Sequence, residues 1–424
     1  MNANVEHPRL ITFGCRLNAY ESEAMRKLAV AAGLSSAVIV NTCAVTAEAQ
    51  RQARQAIRKA RREHPEAPLI VTGCAAQTEA AAFAQMPEAD AVLGNAEKLD
   101  AAQWRKVADA LSAGGAETPV FVSDIMREKK AQALPFSGFA ERTRAFVQVQ
   151  TGCNHRCTFC IIPFGRGNAR SLDVEAVIAQ VRAARAAGHR EVVLTGVDLT
   201  SWGEDLPGEN RLGDLVAAIL RNVPDLERLR ISSIDVAEVD ETFLRVLAEE
   251  ERLMPYLHLS LQAGDDMILK RMKRRHSRTQ AVAFCARARA LRPGITFGAD
   301  LIAGFPTETD EMFANTLNIV RDCGLIWTHV FPFSPRPGTP AARMPQVPGD
   351  VVKARAARLR AAGEAERKAW LAAQVGKEKR VLVEKPGLAR AEDNALVRVN
   401  DVLPVGGIVT VRITGVQGEE LEGA

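Results

Sequence analysis

The chain has 424 residues, enough for two or three ordinary domains with a sizeable core. Its 47 % hydrophobic and 25 % charged residues exclude a disordered or fibrous chain, and neither an export signal in "MNANVEHPRLITF" nor a run of 18 apolar residues is present, so the expected address is the cytoplasm, with no membrane partner. A formal net charge of +4 permits a polyanionic partner without demanding one.

From the N-terminus, short β-rich runs alternate with helical stretches: "LITF" (10–13), a helix over 21–32, "AVIVN" (37–41), a helix over 46–63, "PLIVTG" (68–73), a helix over 78–85 and "AVLG" (91–94). That order predicts an open parallel α/β domain over 1–125. Residues 105–140, with "AGGAET" and the start of "PFSGFAERTR", read as a linker carrying a shorter helical piece. A second α/β series over 140–372 has strands expected at 145–150, 191–196, 228–233, 256–261, 296–303 and 326–333. Six strands in this rhythm predict a partial (β/α)6 barrel rather than a complete eight-unit one. Over 373–424 the runs "RVLVEK", "ALVRVN" and "GGIVTVRITGV", bounded by Gly, Pro and Asn-Asp turns, predict a small all-β module.

Eight cysteines in a large chain without an export signal favour metal or redox use over four disulfides. Cys285 and Cys323 stand in helical runs and read as structural. Cys15, Cys43 and Cys74 each follow a predicted strand within a residue or two, so a parallel sheet carries all three thiols to its carboxyl edge, a credible iron-sulfur or zinc site. Ordinary strand-end cysteines would have hydrophobic neighbours, whereas Gly14, Thr42 and Gly73 flank these. The second group, "TGCNHRCTFC", places Cys153, Cys157 and Cys160 at C-x3-C-x2-C, close enough for three soft sulfur ligands to surround one metal centre. A [4Fe-4S] cluster held by protein alone requires four cysteines. No fourth lies within 100 residues on the C-terminal side, so one iron is left open for a substrate or cofactor. A zinc site completed by His155 is the alternative, with His155 inside the tight loop competing with the flanking thiols.

"CNHRCTFC" resembles the signature loop of the radical S-adenosylmethionine (SAM) enzymes, with Phe159 as the expected aromatic residue before the third cysteine. The whole chain is similar to one family among them, the methylthiotransferases, through "GCRLNAYESE" (14–23), "NTCAVT" (41–46), "TGCAAQ" (72–77), "CIIPFGRGNARS" (160–171), "LTGVDLTSWG" (194–203), "RISSID" (230–235), "HLSLQAGDDMILKRMKRRHSR" (258–278), "ADLIAGFPTET" (299–309) and "HVFPFSPRPGTPAA" (329–342). The form "GCRLNAYESE" is most similar to the branch acting on N6-threonylcarbamoyladenosine (t6A) at position 37 of tRNA. The same machinery directed at isopentenyladenosine or at a ribosomal-protein aspartate is the alternative. One departure from the family pattern is the abbreviated "VAAGLSSAVIVNTC", where a longer acidic, strand-containing stretch is usual.

The resemblance implies a [4Fe-4S] cluster on Cys153, Cys157 and Cys160, whose open iron SAM chelates, and a second one on Cys15, Cys43 and Cys74 that carries the added sulfur. It implies reductive cleavage of SAM to a 5'-deoxyadenosyl radical, replacement of the C2 hydrogen of adenine by a methylthio group, an electron donor such as flavodoxin or ferredoxin, a sulfur source, and a C-terminal TRAM module for the tRNA anticodon stem-loop. SAM is expected against Phe159, Thr195, Gly196, Ser232, Ser233, Gln262, Asp300 and the turn at 304–306. Arg166 and Arg170 are candidates for a cofactor carboxylate or a tRNA phosphate. The basic runs at 51–63 and 270–278 are further phosphate candidates or solvated faces. Charge does not argue for RNA binding by the tail, which from 375 onward has seven Lys or Arg against eight Asp or Glu; shape-based recognition of a folded RNA is the alternative. Oligomeric state is not legible.

Overall fold

Uninterrupted apolar runs build the first sheet. In the computed structural model, which describes residues 7–133 and 142–424, β1 (Arg9–Thr12), β2 (Val38–Thr42), β3 (Leu69–Gly73), β4 (Ala91–Leu93) and β5 (Val120–Phe121) lie side by side in chain order, all parallel. The expected boundary at 140 and most of "PFSGFAERTR" lie outside the described residues. Every residue of β2, β3 and β4 is buried, which requires cover on both faces. On one face α1 (Arg16–Ala31) and α5 (Ala101–Ala113) pack Met25, Ala29, Trp104 and Val107 against Ile39, Ile70 and Leu93. On the other, α2 (Ala47–Glu63) and α4 (Ala80–Ala84), the latter preceded by the short α3 (Cys74–Thr78), set Ile57, Ala60 and Phe83 against Val40, Val71 and Val92.

The steps from β1 to β2 and from β2 to β3 run the same way across this sheet, yet α1 and α2 cover opposite faces. The two crossovers therefore have opposite hands, and one of them is left-handed, against the usual rule. The first of these crossovers contains the abbreviated stretch before Cys43. That stretch holds the end of α1, a turn and β2, and no strand lies beyond β1 among the described residues. Two sequence expectations are corrected here. Helix α1 begins at Arg16 rather than 21, because its polar Asn18, Glu21 and Ser22 are buried partners rather than loop residues; the helix expected over 78–85 is the pair α3 and α4, the first starting at Cys74 itself.

Six further parallel strands follow: β6 (Arg144–Gln148), β9 (Glu191–Thr195), β10 (Arg228–Ile231), β11 (Tyr256–Gln262), β12 (Thr296–Ala303) and β13 (Leu325–Pro332). They form two three-stranded sheets, β6-β9-β10 and β11-β12-β13, stitched by the bridges Leu229 to Leu253 and Ile234 to Leu259. The result is the partial barrel, and the helices α7 (Val174–Ala186), α8 (Leu212–Asn222), α9 (Glu241–Glu249), α10 (Asp266–Arg271), α11 (Arg278–Leu291), α12 (Asp310–Asp322) and α13 (Gly349–Ala372) complete it. The loop after β6 is pinned at its base by the antiparallel pair β7 (Gln150–Thr151) and β8 (Arg170–Ser171), with α6 (Ile162–Arg166) between them. No helix among the described residues is long and apolar enough to cross a membrane.

The tail is a closed barrel in the order β14-β15-β16-β18-β17, from β14 (Glu378–Lys385), β15 (Leu388–Ala391), β16 (Leu396–Arg398), β17 (Ile408–Gln417) and β18 (Glu420–Gly423). "LARA" and "ELEG" give no β-branched signal, yet Ala389, Ala391 and Leu421 alternate into the small core. This module docks on the amino ends of the large barrel's strands. Arg230 donates to Glu191 Oε1 at 2.9 Å and to the carbonyl of Glu392 at 3.1 Å, Arg228 donates to the carbonyl of Arg390, Arg144 pairs with Glu384 at 2.7 Å, and Thr296 donates to the carbonyl of Asp393 at 2.8 Å.

Glu191 and, in the first domain, Glu21 are fully buried carboxylates. Burial pushes each up, but Arg230 with Arg144 and Arg228 in one case, and Arg166 with Lys98 in the other, outweigh it and hold both near 2, below the ordinary 4.5. A depressed carboxylate stabilises the fold above its unfolded pKa and stops doing so as pH falls toward its folded value. The thermal midpoint of iron-free protein is therefore expected to fall most steeply between about pH 4.5 and about pH 2. Glu191→Gln should start lower, by about 3–5 kcal/mol for stranded buried arginines, and show a shallower acid dependence in circular dichroism melts.

Candidate metal and cofactor site

The carboxyl edges of the two parallel sheets face one another. On the barrel side a cavity of about 290 Å³ is lined by Cys153, Cys157 and Cys160, together with Phe159, Ser233, Gln262 and Asp300. Four of the seven residues expected to hold cofactor thus lie on one wall. Thr195, Gly196 and Ser232 are not on it: Thr195 is buried with its carbonyl accepting from Val149 N, a Cβ at Gly196 would meet Leu199 and Gln150, and Ser232 is buried behind Ser233 with its hydroxyl unpartnered. Gln262 adopts φ +70° where the β11–β12 register shifts, a left-handed conformation for a non-glycine residue that is sparsely populated and gathers at functional sites. Asp300 accepts from His258 at 2.9 Å and from His329 at 3.2 Å. Although burial opposes it, those two imidazoles hold the Asp300 carboxyl well below the usual range.

Around the cysteine loop the sequence left several residues unread. His155 stands beside Cys153: its ring nitrogen, the Cys153 sulfur and an Asp198 carboxylate oxygen lie within 4.8 Å of one another, although that imidazole is already engaged by carboxylates. Its Nε2 lies 2.8 Å from Asp198 Oδ2 and 3.6 Å from Glu238, and hydrogen bonds to these two carboxylates raise it to about 9. Arg274 donates to Asp235 Oδ2 and to the Ser260 carbonyl, both at 2.7 Å, and reaches Cys157 Sγ at 3.6 Å. Arg271, Arg275 and Arg278 of the same basic run bond to the Thr307 carbonyl, to Glu238 and to Asp322. In the other run Arg51 pairs with Glu48, Arg54 with Glu79 and Arg61 with Asp90. These arginines are engaged within the protein, which weakens the phosphate reading of both runs.

The first domain contributes the opposite wall. Val45 and Thr46, which follow Cys43, also line the cavity. Gly14 holds φ +93°, and a Cβ there would sit 3.1 Å from Cys43 Sγ, so the loop of Cys15 lies directly against Cys43. Burial pushes the Cys43 thiol up to about 11, with Cys74 and Cys15 adding to the effect as neighbours. The three dispersed cysteines therefore converge. Helix α6, which starts two residues after Cys160, packs its Gly165 on Cys74, where an added Cβ would lie 3.3 Å from Cys74 Cβ. Asn95 donates to the Gly165 carbonyl at 2.5 Å and to Cys74 Sγ at 3.6 Å. A cavity on this seam, about 310 Å³, is bounded by Glu79, Phe164 and Arg336.

Arg166 and Arg170 are corrected. Arg166 is buried and donates to both oxygens of Glu21 at 2.8 Å and to Asn18 Oδ1 at 2.5 Å, while Arg170 donates to the Arg166 carbonyl at 2.6 Å. Neither faces solvent phosphate. The signal for this was present in "LNAYESE", a run too polar for an ordinary buried helix face. Cys285 and Cys323 are fully buried and touch each other through a thiol hydrogen bond, away from either group.

The fold and this double cysteine edge match known proteins. Residues 147–320 fit the model of the Radical SAM superfamily, and residues 8–94 that of the uncharacterised protein family UPF0004. The structure resembles TsrM from Kitasatospora setae, a radical S-adenosylmethionine methyltransferase, with TM-score 0.52 and 17 % identity over 77 % of this chain and 68 % of that one, a likeness of fold. Those matches define the class, a radical SAM protein. The threonylcarbamoyladenosine tRNA methylthiotransferase MtaB of Rickettsia prowazekii is 46 % identical over 96 % of this chain and 95 % of its own, and the Bacillus subtilis protein of that name is 34 % identical over 92 % and 87 %. The tRNA-2-methylthio-N(6)-dimethylallyladenosine synthase of Novosphingobium aromaticivorans is 36 % identical over 96 % and 94 %. The chain belongs to the radical SAM methylthiotransferase family, transferases that use SAM and [4Fe-4S] clusters.

The donor set fits such clusters. Each site offers three soft sulfurs without a fourth, and burial raises the Cys160 thiol to about 12 and raises Cys153 as well. Thiols so raised stay protonated unless a metal replaces the proton. Gly14→Val puts a β-branched residue at φ +93° against Cys43, at about 1–2 kcal/mol of backbone cost alone. Iron analysis of the reconstituted variant is expected to show about half the normal content, with the loss confined to the first-domain site.

Proposed function

We propose that the protein converts t6A37 of tRNA to its 2-methylthio derivative, replacing the hydrogen on adenine C2 by a methylthio group. The observation that supports this reading best is the 46 % identity to the Rickettsia protein across nearly both full lengths, against 36 % for the dimethylallyladenosine enzyme from Novosphingobium. Cys153, Cys157 and Cys160 would hold the cluster that opens one iron to SAM, and Cys15, Cys43 and Cys74 the second cluster. Bound there, the two clusters supply the electron that cleaves SAM reductively and the sulfur that is transferred.

The chain's own residues do the rest. Phe159, Ser233, Gln262 and Asp300, which line the cavity, would receive SAM, while Thr195, Gly196 and Ser232 would shape the strand ends behind them. Ile302, Phe331 and Phe333 make the cavity wall apolar and limit water at the reacting carbon. Val45 and Thr46 bring the second cysteine group to the same cavity, so substrate, cofactor and sulfur donor meet without a large motion. The division into 1–125, 140–372 and 373–424 assigns one task to each part: sulfur, radical chemistry, and a TRAM-like grip on the anticodon stem-loop. The working address is the cytoplasm, with a low-potential flavodoxin or ferredoxin as electron donor and a separate sulfur source.

Nucleoside mass spectrometry of tRNA from cells with and without the gene tests the substrate. Loss of 2-methylthio-t6A with unchanged 2-methylthio-isopentenyladenosine is expected; the reverse pattern would replace the substrate with the isopentenyl one, and loss of neither would remove tRNA. Replacing Cys15, Cys43 and Cys74 together by alanine is expected to lower iron from about eight to about four per chain and to abolish methylthiolation while SAM cleavage persists.

A further inference from the structure

One cluster of buried charges is used by neither cysteine group as a ligand, yet touches the loops of both. Glu21 of α1, Lys98 and Arg166 of α6 are each no more than 3 % exposed. Lys98 Nζ is 2.7 Å from Glu21 Oε2, and Arg166 grips both Glu21 oxygens at 2.8 Å. Two cations therefore share one carboxylate, and no other acidic partner of either is found among the described residues. Burial works against the charged form of Lys98 and of Arg166; for Arg166 the neighbouring Cys74 and Glu21 more than compensate and raise it well above its ordinary value.

This excess positive charge sits at the first-domain cysteines. Asn18 takes the Arg166 hydrogen bond on Oδ1 and donates from Nδ2 to the carbonyls of Phe13 at 2.7 Å and Thr42 at 3.1 Å, two residues before Cys15 and one before Cys43. One residue before Arg166, Gly165 rests on Cys74. Arg166 is thus an electrostatic neighbour of all three thiols. A cluster on three thiolates is anionic, and more so after taking an electron. A fixed cation in a water-poor setting favours that more negative state.

We propose that the Arg166–Glu21–Lys98 group sets the reduction potential of the first-domain cluster, holding it above the value that the three thiolates alone would give, and that Arg166 is a positioning residue for sulfur transfer. The inference rests on the assignment of that cluster to Cys15, Cys43 and Cys74. The step concerned is a single electron entering the cluster from a low-potential donor, with no bond made or broken. An anionic sulfur ligand on the open iron gains from the same cation. The geometry also distinguishes the charges by sign: removing Arg166 makes the setting more negative, whereas neutralising Glu21 makes it more positive.

The test is an EPR-monitored dithionite titration of full-length protein carrying Cys153→Ala, Cys157→Ala and Cys160→Ala, so that the first-domain cluster alone is read. Arg166→Gln is expected to move the midpoint negative by roughly tenfold in the reduction equilibrium, ~59 mV for one electron. The near-isosteric Glu21→Gln is expected to move it positive, and Arg166→Lys to leave it close to the parent. If Arg166→Gln does not load iron, Lys98→Gln against Glu21→Gln reads the same opposition of sign. Shifts in one direction for all variants, or none, would overturn the electrostatic role, since loosened packing has no reason to reverse sign with charge. A signal that survives further replacement of Cys15, Cys43 and Cys74 would instead overturn the cluster assignment.

Discussion

The meeting of the two cysteine groups hangs on the parallel direction of the strands that carry them. A parallel strand delivers the residue that follows it to one edge only, so Cys15, Cys43 and Cys74, which follow β1, β2 and β3, arrive together although 28 and 31 residues separate them in sequence. The barrel obeys the same rule and places its cysteine loop, Ser233, Gln262 and Asp300 at its own carboxyl edge. Neither edge would be useful alone. What makes them one site is α6, a helix of five residues that leaves Cys160 and ends in Arg166, locked to the first domain through Glu21 and Asn18.

The opposite end of the barrel answers a different need. Arg144, Arg228 and Thr296 begin their strands, and with Arg230, which Glu191 holds in place, they bond the backbone and side chains of the tail module from 384 to 393. Strands of four to eight residues then separate the tail's docking face from the cavity, a distance of roughly 13–26 Å. A partner that reaches both must be extended or folded around the barrel. Charge alone does not guide it there, because many arginines of the two basic runs, and Lys379, Arg390 and Arg398 in the tail, already have acidic partners.

Much of this was legible in the sequence, and what was not has a consistent cause. Strands such as "AVIVN" and "PLIVTG" declare themselves because burial on both faces favours consecutive apolar, β-branched residues, and the barrel strands fall within two residues of expectation. The small tail strands "LARA" and "ELEG" were missed because alanine and leucine fill a narrow barrel without β-branched residues. Asp198, Glu238, Asp235 and Arg274 were missed as site residues because their significance lies in each other: a carboxylate beside His155, a guanidinium beside Cys157, paired over separations of up to 117 residues. Arg166 was misread for a related reason. An arginine next to a cofactor motif suggests a phosphate or carboxylate ligand, and its true partner, Glu21, stands 145 residues away.

That long-range pair also bears on why the junction is charged at all. A buried ion pair is weak evidence for stability, since apolar residues of similar volume often serve as well or better. Leucine or methionine at 21, 98 and 166 could fill the seam, but none could donate to Asn18 while Asn18 holds the carbonyls ahead of Cys15 and Cys43. The network fixes direction as well as contact: Arg166 spans both oxygens of one carboxylate, which sets the angle between α6 and α1, and Asn95 repeats the constraint by binding the Gly165 carbonyl and Cys74 together. The three strand-end loops of Cys15, Cys43 and Cys74 and the single loop of Cys153, Cys157 and Cys160 are thereby held in one register, an arrangement that non-directional packing would leave free to slide.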